Sequence, residues 1–393
     1  MSKYDHIIVG AGLWGSTYAH FAKQIGKKIL VVDKAEHIGG NCYTKNDDGI
    51  NVHVYGPHIF HVSDERVWNF VNKFAKFNHF VNRPKVNYKG KLFSFPLNLF
   101  TLYQLWDVKT PEEAKKKLEQ VRIPIDNPKN MEDWCLSQVG EEIYETFIKG
   151  YSTKQWKTEP KNLPSSIIRR LPIRMTFDDN YFEDHHQGIP IGGYTQIFEK
   201  MLDGVEVKLG VDFFKDRTRL EGLLKSDGKL IYTGRVDALY NYDQGELPYR
   251  NLRFEHQRLE IPDFQGNAVV NYTEADVPYT RITEHKHFEF GKTNHTVITH
   301  EYPIDYDRNE TPYYPVSNDE NNARARAYNA RAEADGIIVG GRLGSYKYFD
   351  MHQVIPSAMI RFEKESGLKI NVQAELDKPC CEIGRREQKF ELV

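Results

Sequence analysis

The feature that most constrains this chain is a glycine triplet near its start, Gly10-Ala11-Gly12-Leu13-Trp14-Gly15. It stands between a short Ile/Val-rich stretch, Tyr4 to Val9, and a segment carrying Tyr18, Phe21, Ala22 and Ile25 at helical spacing. Gly26 closes that segment, Ile29 to Val32 reads as a second buried strand, and Asp33 ends it. Strand, glycine turn, helix and parallel strand make a βαβ unit. In such a unit Gly10 makes the tight turn, Gly12 lets the backbone approach a pyrophosphate, and Gly15 lets helix and strand pack closely. The free N–H groups and dipole of the helix start favour the anion. Asp33 stands where an acid would accept hydrogen bonds from a ribose.

FAD is favoured over NAD as the dinucleotide. The motif is followed at once by a second glycine turn, Ile38-Gly39-Gly40-Asn41, similar to that of FAD-binding oxidases and monooxygenases. Gly340-Gly341-Arg342, after the apolar run Ile337-Ile338-Val339, can return to the same place and set the next helix start, near Met351, beside the flavin. No second GxGxxG occurs, so no separate pyridine-nucleotide domain is expected.

Composition narrows the partners. A net charge of −2 leaves no basic footprint for nucleic acid or an anionic membrane. Twenty-three tyrosines and 22 phenylalanines fit either large cores or a cleft that stacks flat ligands. Cys42, Cys135, Cys380 and Cys381 form neither a disulfide framework nor a CxxC pair, which argues against dithiol redox chemistry and a zinc site and suits a reducing, cytoplasmic setting. No apolar run reaches about 18 residues, so no membrane-inserted helix is expected. Nor does a charged-then-apolar leader precede the first strand.

At 393 residues the chain should divide into lobes. We expect a discontinuous α/β domain from 1–75, 200–240 and 330–365, a helical domain over 76–185, and an antiparallel sheet from 186–199 and 241–329. Thr110-Pro111-Glu112-Glu113 is a capping box that starts a helix; another runs from Met131, breaks at Gly140 and resumes to Lys149. Leu252-Arg253-Phe254-Glu255 and Thr296-Val297-Ile298-Thr299 read as antiparallel strands with one wet face. The polar, weakly patterned end, roughly Glu363 to Val393, is expected to be peripheral or partly disordered, with 366–393 as a tail.

Several long, uncommon segments then carry a resemblance. They are Tyr55 to His61, Lys149 to Trp156, Phe177 to Phe182, Phe264 to Ala268, Val277 to Arg281, Glu284 to Phe288, Pro312 to Val316, Gly340 to Leu343 and Tyr346 to Gln353. In that order they resemble the bacterial UDP-galactopyranose mutases over about residues 3 to 358. The resemblance implies a Rossmann-like FAD-binding domain with an inserted helical bundle and an antiparallel sheet. It implies interconversion of UDP-galactopyranose and UDP-galactofuranose through a covalent bond between reduced-flavin N5 and the sugar, with no net redox change. An external reductant such as NAD(P)H and a homodimer are further implications.

The same resemblance assigns residues. Arg170 and Arg281 match the arginines that neutralise the diphosphate; a planar guanidinium offers paired donors to phosphate oxygens. Tyr151, Ser152 and Trp156 match the uridine site, and Phe147, one helical turn earlier, shares that wall or belongs to a bundle core, an alternative open to Trp156 too. Tyr181, Tyr314, Tyr348 and Asp350 match positions around the diphosphate and sugar, and Asn82 is a further substrate-binding position. Arg250 and Arg342 match arginines near the sugar and the flavin. Asp350 and Met351, with Leu13, Gly40 and Asn41, fall to the cofactor, although Asp350 also sits where an N-cap would start the last helix. His58 touches flavin or sugar, or is structural. Ser152 stands where relatives commonly have Thr, Phe349 replaces a Tyr, and the tail with Cys380-Cys381 has no counterpart. Competing readings are an FAD-dependent amine or sugar oxidase and a non-catalytic nucleotide-sugar-binding flavoprotein.

Overall fold

In a computed structural model, which describes residues 3–168 and 173–372, the opening unit forms from strand Tyr4–Val9, helix Leu13–Gln24 and strand Ile29–Val32. Neighbouring side chains on these strands enter different cores. Ile8 and Val31 pack under helix Leu13–Gln24 and the last helix, Met351–Ser366, whereas Ile7, Leu30 and Val32 pack with Phe213 and Leu220 of helix Phe213–Glu221. Burial on both faces explains why these strands are continuously apolar rather than alternating. The completed sheet is parallel and five-stranded, in the order Ile338–Val339, Leu224–Tyr232, Tyr4–Val9, Ile29–Val32, Glu206–Lys208. The fold is therefore α/β with a Rossmann-like domain.

A seven-stranded sheet runs Pro312–Pro315, Tyr249–Leu259, Thr296–Ile304, Arg281–Glu284, Val269–Tyr272, Lys85–Tyr88, Lys91–Ser94. Leu252 pairs with Pro303 and Leu259 with Thr296, so the two segments named from sequence lie on strands that are antiparallel partners. One junction is parallel, Val269–Tyr272 against Lys85–Tyr88. The hairpin 85–94 lies inside the stretch expected to be helical. Its strands are four residues each, too short for a period-2 pattern to stand out. Its Val86 and Phe93 pack into the helical core and so join sheet and bundle.

The bundle contains helices Leu99–Trp106, Pro111–Val121, Met131–Ile143 and Gly150–Trp156. Thr110 caps Pro111–Val121 through a reciprocal box with Glu113. The break at Gly140 has a steric cause: its φ is +76°, and a Cβ there would lie 2.4 Å from the carbonyl oxygen of Val121. A π-helical segment, Tyr144–Lys149, then leads into Gly150–Trp156.

The polar end is only partly peripheral. The last helix runs to Ser366, Gly367 turns the chain at φ +73°, and the Ile370 N–H returns to Glu363 at 2.9 Å. Arg66 donates to both Glu363 and the Ile370 carbonyl, and Val372 is buried. Sequence patterning missed this return because it rests on polar contacts, among them a long-range partner, Arg66. The remainder of the tail, with Cys380 and Cys381, lies outside the described residues.

Candidate active site

The glycine turn has the geometry a dinucleotide needs. Gly10 adopts φ +111°, and a Cβ on it would sit 1.9 Å from Thr233 Oγ1. A Cβ on Gly15 would meet the Gly10 carbonyl oxygen at 2.1 Å. Both positions therefore require glycine. Helix Leu13–Gln24 begins with Gly12 at its N-cap, without a side-chain cap and without an acidic residue in its first turn, which keeps its end receptive to an anion. Asp33 is more committed than a ribose acceptor alone. Its carboxylate takes the Ala11 N–H at 2.7 Å and the Ala35 N–H at 2.9 Å, so it also fixes the turn itself.

Two other turns converge on this cradle. Gly39 N–H donates to the Ala11 carbonyl at 2.9 Å and leads into Gly40–Cys42, which contains Asn41. Gly340 lies so close to Trp14 of the first helix that a Cβ would fall 2.2 Å from the indole. The following turn carries Arg342, whose guanidinium donates to the Tyr313 carbonyl at 2.9 Å and the Phe349 carbonyl at 2.6 Å. Asp350 caps helix Met351–Ser366 in a box with Gln353, and that helix packs along Leu13–Gln24. The donor set suits FAD: backbone at the pyrophosphate, and Arg342, Asp350 and Met351 grouped on the C-terminal return.

Beside this cradle the seven-stranded sheet presents its cations. Arg281 opens strand Arg281–Glu284 and pairs across the ladder with Glu301. The ion pair is two-pronged, Nε to Oε2 at 2.8 Å and Nη2 to Oε1 at 3.0 Å, with Glu301 only 2% exposed. Burial opposes the Arg281 charge, but Glu301 beside it holds the guanidinium more firmly protonated than usual. Glu301 was not singled out from sequence. A lone Glu in an alternating strand gives no sign of its cross-strand partner.

His58 lies within the same field. Its pKa is lowered to about 4, chiefly by burial and also by Arg342 and Arg281, while its bond to the Gly56 carbonyl and the Asp350 charge oppose the shift. Because a carbonyl only accepts, Nδ1, 2.9 Å from Gly56 O, must donate, which leaves Nε2 of the neutral ring as an acceptor.

An aromatic wall completes the group. Tyr314, on strand Pro312–Pro315, meets Trp156 edge-on at 6.1 Å and Tyr348 at 5.8 Å. Arg250, directly opposite Tyr314 in the ladder, lies 5.9 Å from the Trp156 ring, and Arg342 lies 5.2 Å from Tyr348. Burial raises the Tyr151 pKa to about 12, with Arg281 opposing the rise and Glu301, Tyr181 and Tyr348 adding to it, which places Tyr151 in this group. Arg250 Nε and the Tyr314 hydroxyl are buried without a hydrogen-bond partner. Such groups are costly unless something polar meets them, and both fit an anionic, hydroxyl-rich ligand.

Other positions are less direct. Phe147 is 3% exposed and packs edge-on against Phe93 at 5.2 Å within the helical core. Ser152 is buried on the same helix as Tyr151 and Trp156. Asn82 is buried, and its backbone is held by Tyr181 N–H at 2.9 Å and by Gln187 Oε1 at 3.0 Å. Tyr181 packs edge-on to Phe182 at 5.0 Å. Arg170 lies outside the described residues. His61, Asp350 and His352 bring one potential metal-ligand atom each within 4.8 Å of one another. Two of these are already committed, His61 Nδ1 to Asp184 at 2.6 Å and Asp350 as a helix cap.

Comparison with known proteins gives a consistent result. The profile described as UDP-galactopyranose mutase matches residues 146–348, and one described as an NAD(P)-binding Rossmann-like domain matches residues 8–74. A dTDP-fucopyranose mutase of Escherichia coli is 40% identical over 361 residues, covering 90% of this chain and 96% of that protein. A probable UDP-galactopyranose mutase of Klebsiella pneumoniae is 40% identical over 368 residues, covering 91% and 94%. The crystal structure of a reduced UDP-galactopyranose mutase superposes with a TM-score of 0.74 at 15% identity over 93% of this chain and 94% of that one, a likeness of fold.

Proposed function

This chain belongs to the UDP-galactopyranose mutase family, and from that premise we propose that it is a flavin-dependent isomerase exchanging the six- and five-membered rings of UDP-galactose. The observation that carries the reading is the Arg281–Glu301 pair standing with Tyr151, Tyr314, Arg250 and His58 beside the glycine cradle. An oxidase sharing the cradle has no use for a diphosphate cation backed by a buried carboxylate.

Reduced FAD supplies a nucleophilic ring nitrogen for the anomeric carbon, and the flavin is restored unchanged at the end of the cycle. The chain's own residues do the rest. Arg281, held in orientation by Glu301, meets the diphosphate where negative charge grows as the glycosidic bond breaks, and Arg170 is assigned as its companion by family resemblance. Tyr151 and Trp156 stack the base, keeping UDP at hand for its return. Tyr314 and Tyr348 donate hydroxyl hydrogens to phosphate oxygens. Neutral His58 offers Nε2 to a sugar hydroxyl and, having no charge of its own near neutral pH, does not compete for the diphosphate.

A second reading of the substrate is favoured by the Escherichia coli relative, a dTDP-fucopyranose mutase with the same identity to this chain as the Klebsiella protein. The two substrates differ in one base methyl, the ribose 2′-hydroxyl and the hexose 6-hydroxyl, none of which takes part in the chemistry above. Anaerobic incubation with UDP-galactopyranose or dTDP-fucopyranose, with and without dithionite, followed by chromatography, tests both. Furanose product in the reduced sample alone is expected, with UDP-galactose the better substrate. Oxygen consumption with substrate and no furanose product would turn the assignment to an oxidase.

The reading also carries an external reductant such as NAD(P)H, a homodimer and a cytoplasmic setting, the last supported by the absence of a disulfide framework in the sequence. No described helix is long and apolar enough to cross a membrane.

A further inference from the structure

The segment Lys149 to Trp156 contains a charge that the chemistry above does not use. Lys154 lies on the same helix as Tyr151 and Trp156 but is 9% exposed, and its ammonium donates to the carbonyls of Tyr272 at 2.8 Å and Tyr279 at 2.9 Å. No carboxylate among the described residues hydrogen-bonds to it, and Glu274 and Asp276 of the neighbouring turn act on it only through space. A buried ammonium is costly, and two carbonyl dipoles offset that cost only while their positions are held.

Those two carbonyls bracket one turn. Tyr272 ends strand Val269–Tyr272, and Tyr279 stands two residues before Arg281 at the start of the next strand. Other contacts fasten the same turn to this helix, to the π-helical segment before it and to the neighbouring strand Thr296–Ile304. A Cβ on Gly150 would fall 2.2 Å from the Thr273 carbonyl oxygen, so helix and turn touch through backbone. Thr273 Oγ1 donates to the Thr146 carbonyl at 2.6 Å, and Thr280 N–H donates to the Glu301 carbonyl at 2.9 Å. The base-stacking helix and the strand bearing the diphosphate cation therefore meet at Lys154.

We propose that Lys154 is a positioning residue that fixes the spacing between the base wall of helix Gly150–Trp156 and Arg281, so that a nucleoside diphosphate engages both half-sites at once. This rests on the placement of base and diphosphate given under the proposed function. A ligand with two connected anchors gains from both only when the protein holds the anchors at the matching distance. Untying the helix from the turn leaves each half-site able to hold its own fragment and removes the gain from joining them.

The test uses the FAD-loaded protein and three probes, UDP, uridine and inorganic pyrophosphate, titrated against wild type and Lys154→Met. We expect the UDP dissociation constant to rise about 10-fold while those of uridine and pyrophosphate stay within about twofold. The KM for the sugar nucleotide should rise in parallel, with kcat held within about twofold. Lys154→Gln, whose amide can reach one carbonyl, should give a smaller rise of about threefold; it stands in if the methionine variant does not fold, and Lys154→Arg should stay nearest wild type. Unchanged UDP affinity in a folded variant overturns the inference, as does equal loss for all three probes, the mark of general damage. Wild-type protein that fails to bind UDP, or whose Trp156 fluorescence ignores it, would instead overturn the base and diphosphate placement.

Discussion

Arg281 shows how a surface-type residue becomes a fixed instrument. Its two contacts to Glu301 leave the guanidinium little freedom, so its donors are already oriented before anything binds. Alanine there would leave Glu301 buried and unpaired, confounding activity with stability. Arg281→Lys is cleaner, because it keeps the charge and loses the planar fork. We expect that variant to retain its flavin absorbance and to turn over about 100-fold more slowly, by the usual cost of removing one preorganised donor; rates within threefold of wild type would remove Arg281 from the diphosphate. Trp156 presents the complementary case. Its partly buried ring lies near Tyr314 and Arg250 and also packs against the bundle core, so the two readings that sequence left open meet at this residue. Trp156→Ala should weaken UDP by about 10-fold or more, as expected for loss of one base-stacking ring, and isothermal titration that finds unchanged affinity would make the residue purely structural. Phe147 went the other way: equal hydrophobicity, one turn earlier, and a place within the bundle. Helical spacing alone put the two on related faces but could not say where the bundle ends and the cleft begins.

Elements follow local rules most closely where backbone sterics decide. The first helix begins at the residue after Gly12 because two glycines remove clashes that any side chain would create, with Thr233 Oγ1 at one and the Gly10 carbonyl at the other. Gly15→Ala adds a single methyl group 2.1 Å from a backbone oxygen that cannot swing aside. We expect this protein to purify with little bound flavin, measured by absorbance near 450 nm, and a full complement of FAD would show that the strand and helix can spread without harm to the cradle. The capping box at Thr110 and the break at Gly140 were equally legible, since each depends on neighbours in the chain. The hairpin 85–94 and the return of residues 367–372 were not. Both are short, and both are held by partners far away in sequence, Val269–Tyr272 for the first and Arg66 for the second.

On the scale of the whole molecule, buried histidines set a pH limit. His6, His53 and His285 are buried, and desolvation lowers each pKa, to about 4 for His6, to about 3 for His285 and well below normal for His53. Above pH 6.5 folded and unfolded forms carry the same neutral rings, so these groups leave stability unchanged. Below it the unfolded chain takes up protons that the folded one refuses, and each ring costs up to about 1.4 kcal/mol per pH unit until its folded pKa is reached. Denaturation midpoints in urea should therefore hold from pH 8 to 7 and fall steeply between pH 6 and 4. A midpoint that stayed level down to pH 5 would mean that these rings are not buried as described.

The sequence by itself determined the α/β class, the dinucleotide turn and the family, because glycine sterics, hydrophobic period and long uncommon motifs are written in consecutive residues. Tertiary structure alone decided which carboxylate orients Arg281, that Phe147 packs within the bundle core, and that Lys154 ties a helix to a distant turn. The reason is physical: hydrogen bonds and ion pairs between remote residues depend on distances that no local pattern encodes, and they exist only once the sheet and bundle have brought the partners within about 3 Å.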